Sequence, residues 1–138
     1  MKQNGAVYFY NLNSERGRQI RMLCLTLGLK IRVVDRAQYT EAIGAIAGVP
    51  GYSLSGETYK GEGFEDEMLI LKGFTGGMLD SFLHGFRKMK IPPVALKAVL
   101  TEANCGWNSL ELHDELVKEH ESMHSQTPSE VTDNKETE

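Results

Sequence analysis

No long apolar run interrupts this chain. Nowhere in its 138 residues is there anything near the roughly 18 consecutive apolar residues that a membrane-spanning helix needs. Met1-Lys2-Gln3-Asn4-Gly5 leads straight into a strand pattern, with no signal-peptide core. Cysteine is scarce. Cys24 and Cys105 are too few and too far apart for a disulfide framework. These absences are read as a cytoplasmic protein with free thiols and no membrane partner. Positive charge is short as well: a formal net charge of -4 lacks the basic stripe expected of a nucleic-acid binder.

What is present suits a single domain with a real core, since 41% of residues are apolar. The charges are unevenly spread. Lys2, Arg16, Arg18, Arg21, Lys30, Arg32 and Arg36 face only Glu15 and Asp35 in the first quarter. From Glu102 onward acids dominate, with no arginine and only Lys118 and Lys135. Such polarity can steer a small anionic ligand or orient a homodimer.

Ala6 to Tyr10 is short, β-branched and aromatic, which marks a strand. Asn13 or Ser14 suits the cap of a helix reaching Leu27, whose stripe is Ile20, Leu23, Cys24 and Leu27. Gly28 ends it, and residues 30–35 supply a second strand. A weaker helix follows over 37–47. Residues 51–63 show no periodicity and read as a long loop, either a lid or a mobile insertion without a role. Met68 to Leu71 is apolar at every position, so both of its faces need covering. A helix follows with Met78, Leu79, Phe82, Leu83, Phe86 and Met89 on its buried face. Pro92-Pro93 breaks it before a strand over 94–101. A last helix runs from Asn108 or Ser109 to about Met123.

This is one βαβ plan twice over. It predicts an α+β fold, a ferredoxin-like βαββαβ sandwich with 37–66 as an inserted helix and loop and a C-terminal helix appended. The alternative is a small three-layer α/β domain. Residues 1–124 form the domain, and 125–138 read as a disordered acidic tail. The first and third strands are expected side by side and parallel, so that both main helices start at one end of the sheet.

Leu96-Lys97-Ala98-Val99-Leu100-Thr101, then Asn104, Trp107 and Leu112, with Glu115-Leu116 and Glu119-His120, form a pattern of their own. With the Gly73-Phe74 turn, it resembles a small bacterial domain-of-unknown-function family. The resemblance implies a fold type and a bacterial cytosolic origin, and it transfers no catalytic residue. Cys105, Gly106 and His124 lie outside its pattern.

Three constellations bear on chemistry. His120-Glu121-Ser122-Met123-His124 matches H-E-x-x-H, but it sits at the end of a helix with no third ligand following, so no metal is assigned. His113, His120 and His124 form a ribbon along that helix. Cys105, between a strand and a helix, would need a histidine such as His84 or His113 to act as a nucleophile, and the spacing places neither. Cys24 is a core residue and Trp107 a plug at the sheet end. The third constellation joins the two helix starts. Arg16, Arg18 and Arg21 crowd the positive end of the first helix, and Lys72, Thr75, Gly76 and Gly77 open the second with free N–H groups. Together they are the expected site for a phosphate or carboxylate.

The function read from these features is a non-enzymatic binding or interaction module, dimerising through its sheet. The alternative is a regulatory domain taking a small anion at the two helix starts. An enzyme using Cys105 or the histidine ribbon ranks third. No cofactor is assigned.

Overall fold

The structure, a computed structural model, describes residues 5–126, with side chains described as far as Ser122. The element order is β1 Ala6–Tyr10, α1 Glu15–Leu27, β2 Lys30–Val33, a 3-10 turn Arg36–Gln38, α2 Ile43–Ile46, β3 Met68–Lys72, α3 Gly76–Lys88, β4 Leu96–Val99 and α4 Ser109–Gln126. The result is an α+β fold around one mixed sheet, in the order β2-β1-β3-β4. The segment expected as a tail contributes Ser125 and Gln126 to α4. The rest of it lies outside the described residues.

Each βαβ unit closes on itself. β1 pairs in parallel with β2, and β3 pairs in parallel with β4. The first and third strands do lie side by side, but they run antiparallel, with Ala6 opposite Lys72 and Tyr10 opposite Met68. This corrects the expected parallel pair. It also departs from the ferredoxin-like order, in which each unit is split by a strand of the other. The physical reason is the connector. Residues 34–67 form no tight hairpin that would hold β3 against β2; they cross the sheet and fill its second face.

Both faces are therefore covered from within the chain. On one, α1 and α3 pack Ile20, Leu23, Cys24, Phe82 and Phe86 onto Val7, Phe9, Leu69 and Leu71. On the other, Tyr39, Ile43, Ala47 and Leu112 of α4 pack onto Tyr8, Tyr10, Met68 and Ile70. Met68 to Leu71 of β3 are all apolar for this reason, and each such side chain contributes about 1.5–3 kcal/mol by leaving water. The layering is that of the three-layer alternative.

Local chemistry sets the boundaries. The Ser14 hydroxyl accepts from the Gly17 N–H at 3.2 Å to cap α1, and Gly28 ends it in the left-handed region at φ 74°. Thr75 caps α3 through the Met78 N–H. Asn108 and Glu111 exchange reciprocal bonds at the start of α4, at 2.8 and 2.9 Å. The expected 37–47 helix is broken in two, because the Tyr39 carbonyl accepts from Ser109 N–H and Ala42 bridges Asn108. Trp107 is 37% exposed rather than a core plug.

Candidate functional site

Antiparallel central strands put the two helix starts at opposite ends of the sheet, so the expected pocket between them does not form. Four of the seven residues predicted for it, Arg16, Arg18, Lys72 and Thr75, are engaged elsewhere. The Arg16 guanidinium donates to Glu67 Oε1 and, through Nη1, to the Pro93 carbonyl at 2.6 Å. Ser14 donates to the other Glu67 oxygen at 2.9 Å. A single carboxylate thus ties the β1–α1 turn to the start of β3. Arg18 pairs with Glu15 on the surface. Lys72 Nζ donates to the Ala47 carbonyl at 2.7 Å. Thr75 is occupied as a cap, and Gly76 and Gly77 are exposed in the first turn of α3.

Arg21 is different. Its guanidinium lies over the Phe9 ring, 5.3 Å from the centroid, and lines a crevice of about 180 Å³ at the carboxyl ends of β1 and β2. Asn11, Asn13, Val33 and Arg36 complete its rim, over Phe9, Leu12, Val34 and Tyr39. Among the described residues neither Arg21 nor Arg36 has a carboxylate within 4.0 Å. Arg36 makes only a long contact to the Glu62 carbonyl, at 3.5 Å. Carboxyl ends of parallel strands are where open α/β sheets place ligands, because the chain diverges there and leaves a cleft.

Asn11 shapes the rim. It sits in the left-handed region at φ 61°, which asparagine tolerates, and its amide donates to the Phe64 and Asp66 carbonyls at 2.8 and 2.9 Å. Past Asn11 and Arg36 a wider trough of about 730 Å³ carries Asp35, Tyr59, Glu62, Phe64 and Glu65. Its outer wall is the segment read as a lid. That segment is tied down. Buried Glu41 accepts from Ser55 N–H at 2.7 Å, Ser55 hydroxyl at 3.1 Å and Gly56 N–H at 2.9 Å. The Ser55 N–H foremost, with the other two donors, holds this carboxyl below its ordinary value against the opposing effect of burial. Tyr59 stacks on Tyr39, Tyr39 on Phe64, and Phe64 on His113 at 3.9 Å.

The chemistry-bearing residues of the sequence are dispersed. His113 bonds Asp66 at 2.8 Å. Cys105 is buried in the loop before α4, its carbonyl accepting from Gly44 N–H, while His84 is exposed on α3 across the sheet. Burial pushes the Cys24 thiol up to about 12, with Arg21 pulling it down. Among the described residues no group of three or more His, Cys, Asp or Glu is arranged to hold a metal ion. The His124 side chain lies outside them. No helix among them is long and apolar enough to cross a membrane.

The second βαβ unit and α4 are the part that comparison with known families recognises. Residues 67–123 match the family described as Domain of unknown function (DUF3783). The resemblance to an uncharacterised domain-of-unknown-function family thus holds over that stretch. The DUF3783 match begins at Glu67 and takes in β3, α3, β4 and most of α4. Every residue lining the small crevice lies before it. Searches of curated proteins and of solved structures return no match.

Arg36, Asn11 and Asn13 were missed in the sequence. Arg36 follows the second strand and Asn11 the first, a signal that becomes readable only once β1 and β2 are known to be parallel neighbours.

Proposed function

We propose that this protein is a non-enzymatic binding module that takes a small anionic ligand in the Arg21–Arg36 crevice. The observation that carries this reading is two guanidinium groups without carboxylate partners in one cleft. Both side chains are exposed on the rim of the same crevice, and a phosphate or carboxylate there matches the planar donor fork of arginine. The volume, about 180 Å³, is that of about six waters, which suits one anionic group. The rest of a longer ligand extends past Arg36 over Tyr59 and Phe64. There Asp35, Glu62 and Glu65 favour a neutral or cationic portion.

We assign no catalytic residue, metal or cofactor, and place the protein in the bacterial cytoplasm; its two buried, unpaired cysteines support that placement. A homodimer formed through the sheet has only the edges to use, since both faces of β3 are covered within the chain. Sedimentation analysis reads that directly.

The test is a thermal denaturation series with inorganic phosphate and small carboxylates. The transition is expected to rise with concentration, by about 2.7 kcal/mol at a hundredfold excess over Kd, and the Arg21→Gln/Arg36→Gln double variant is expected not to respond. No shift in the wild type, or the same shift in the variant, refutes the proposal.

A further inference from the structure

β2 ends the sheet on one side, and among the described residues its outer edge is open. The Lys30 N–H donates inward to the Gly5 carbonyl and the Val34 N–H to the Phe9 carbonyl, both at 3.0 Å. Alternation along the strand then turns the N–H and C=O groups of Ile31 and Val33 outward. Among the described residues no segment pairs with them; the Ile31 carbonyl accepts only from Arg32 Nη1, at 3.2 Å. The opposite edge is less bare. α4 packs against β4, every β4 residue is at least half-buried, and Asn104 Nδ2 covers the Val99 carbonyl at 3.1 Å.

The two sides of the β2 edge differ in chemistry. Ile31 and Val33 face the α1 side, and Val33 is 60% exposed. Leu25, 68% exposed, lies one turn along α1 from Arg21, which shares a crevice with Val33. Lys30 and Arg32 face the other way, in register with Ala6 and Tyr8. They are exposed, and no carboxylate lies within 4.0 Å among the described residues. A strand added here meets apolar side chains on one face and two cations on the other. A second copy of β2 is a poor occupant, because it would bring four cations onto one short ladder.

We propose that β2 is a docking edge for an extended acidic segment of a partner protein, alternating acidic with β-branched residues and adding a fifth strand. Main-chain bonds to Ile31 and Val33 supply the attachment. Carboxylates beside Lys30 and Arg32 select the sequence. This surface shares Val33 with the rim of the anion crevice, but its attachment uses the outward main-chain groups of Ile31 and Val33 and needs neither Arg21 nor Arg36.

The experiment is a titration of the full chain with a capped Val-Glu-Val-Glu-Val-Glu-Val peptide, followed by amide NMR and hydrogen exchange. Protection is expected at Ile31 and Val33, with affinity falling as salt rises. Lys30→Glu/Arg32→Glu, both on the surface, should weaken binding by about tenfold and turn the preference to a Lys-Val counterpart. Saturating inorganic phosphate, which reads the crevice, should leave peptide binding unchanged when ionic strength is held constant. The proposal is overturned by binding that leaves Ile31 and Val33 unprotected, or by equal binding of the Lys-Val peptide to wild type. It is also overturned if those two amides are already protected before any peptide is added, whether by self-association or by residues 127–138.

Discussion

Two glycines at corresponding places, one in the first turn of each main helix, are expected to respond to alanine with opposite signs. Gly76 opens α3, and a Cβ built there meets nothing within 4 Å. Alanine reduces the freedom of the unfolded chain, so Gly76→Ala should stabilise by about 0.4–1 kcal/mol. Gly17 is buried in α1. A Cβ there overlaps the Leu12 carbonyl oxygen, with the carbonyl carbon at 2.8 Å and Leu12 Cβ at 3.1 Å. The obstacle is backbone in the β1–α1 turn, so no rotamer change relieves it. The β1–α1 turn must open, pulling Ser14 and Arg16 from Glu67. Overpacking of this kind costs about 2–3 kcal/mol, which exceeds the alanine gain severalfold. Urea denaturation measures both, with thermal midpoints as a check. For a chain of this size Gly17→Ala should melt roughly 6–15 °C lower and Gly76→Ala a few degrees higher. A Gly17→Ala protein as stable as wild type would refute the reasoning, because Leu12 and Gly17 could not then be in contact.

Three further outcomes follow from particular contacts. Glu67→Gln keeps the shape but removes the charge that Arg16 and Ser14 address, and should cost about 1–2 kcal/mol in chemical denaturation. Glu41→Gln should speed amide exchange at Ser55 and Gly56 while leaving β3 amides protected. Because the Glu41 carboxyl lies below its ordinary 4.5 in the folded state, the native state binds fewer protons there. Its contribution is thus fully present above that value and lost as pH falls through the depressed one. A wild-type loop whose exchange does not loosen on acidification, relative to Glu41→Gln, contradicts this. Cys24, fully buried with its thiol pushed up to about 12, should resist alkylation at about pH 8 until the protein unfolds; prompt labelling of native protein would show the core to be open.

Much of the fold was legible because its signals are local. β-branched and aromatic runs, helical stripes and the cap expected at Asn13 or Ser14 each specify one element. The apolar β3 announced covering on both faces. The direction of one βαβ unit against the other was not legible. Met68 to Leu71 offers the same apolar surface to β1 in either direction, and what decides is the path of residues 34–67. Those residues carry no periodic pattern: they are held by Glu41 and by the stack from Tyr59 to His113, contacts between residues far apart in sequence. The expected anion site failed for the same reason. Its two halves were each correctly placed at a helix start, but those starts are at opposite ends. Arg21 enters the proposed site because it lines the crevice beside Val33, whereas Arg16 and Arg18 have carboxylates of their own.

The central claim is that Arg21 and Arg36 hold an anion at the carboxyl ends of β1 and β2, and amide NMR during titration with inorganic phosphate tests it most directly. Saturable shifts are predicted at Leu12, Asn13 and Val34–Arg36 and at the Arg21 side chain. They should vanish in Arg21→Gln/Arg36→Gln, with the Thr75–Gly77 turn silent throughout. Shifts centred on Thr75–Gly77, or none at the crevice at any phosphate concentration, would contradict it.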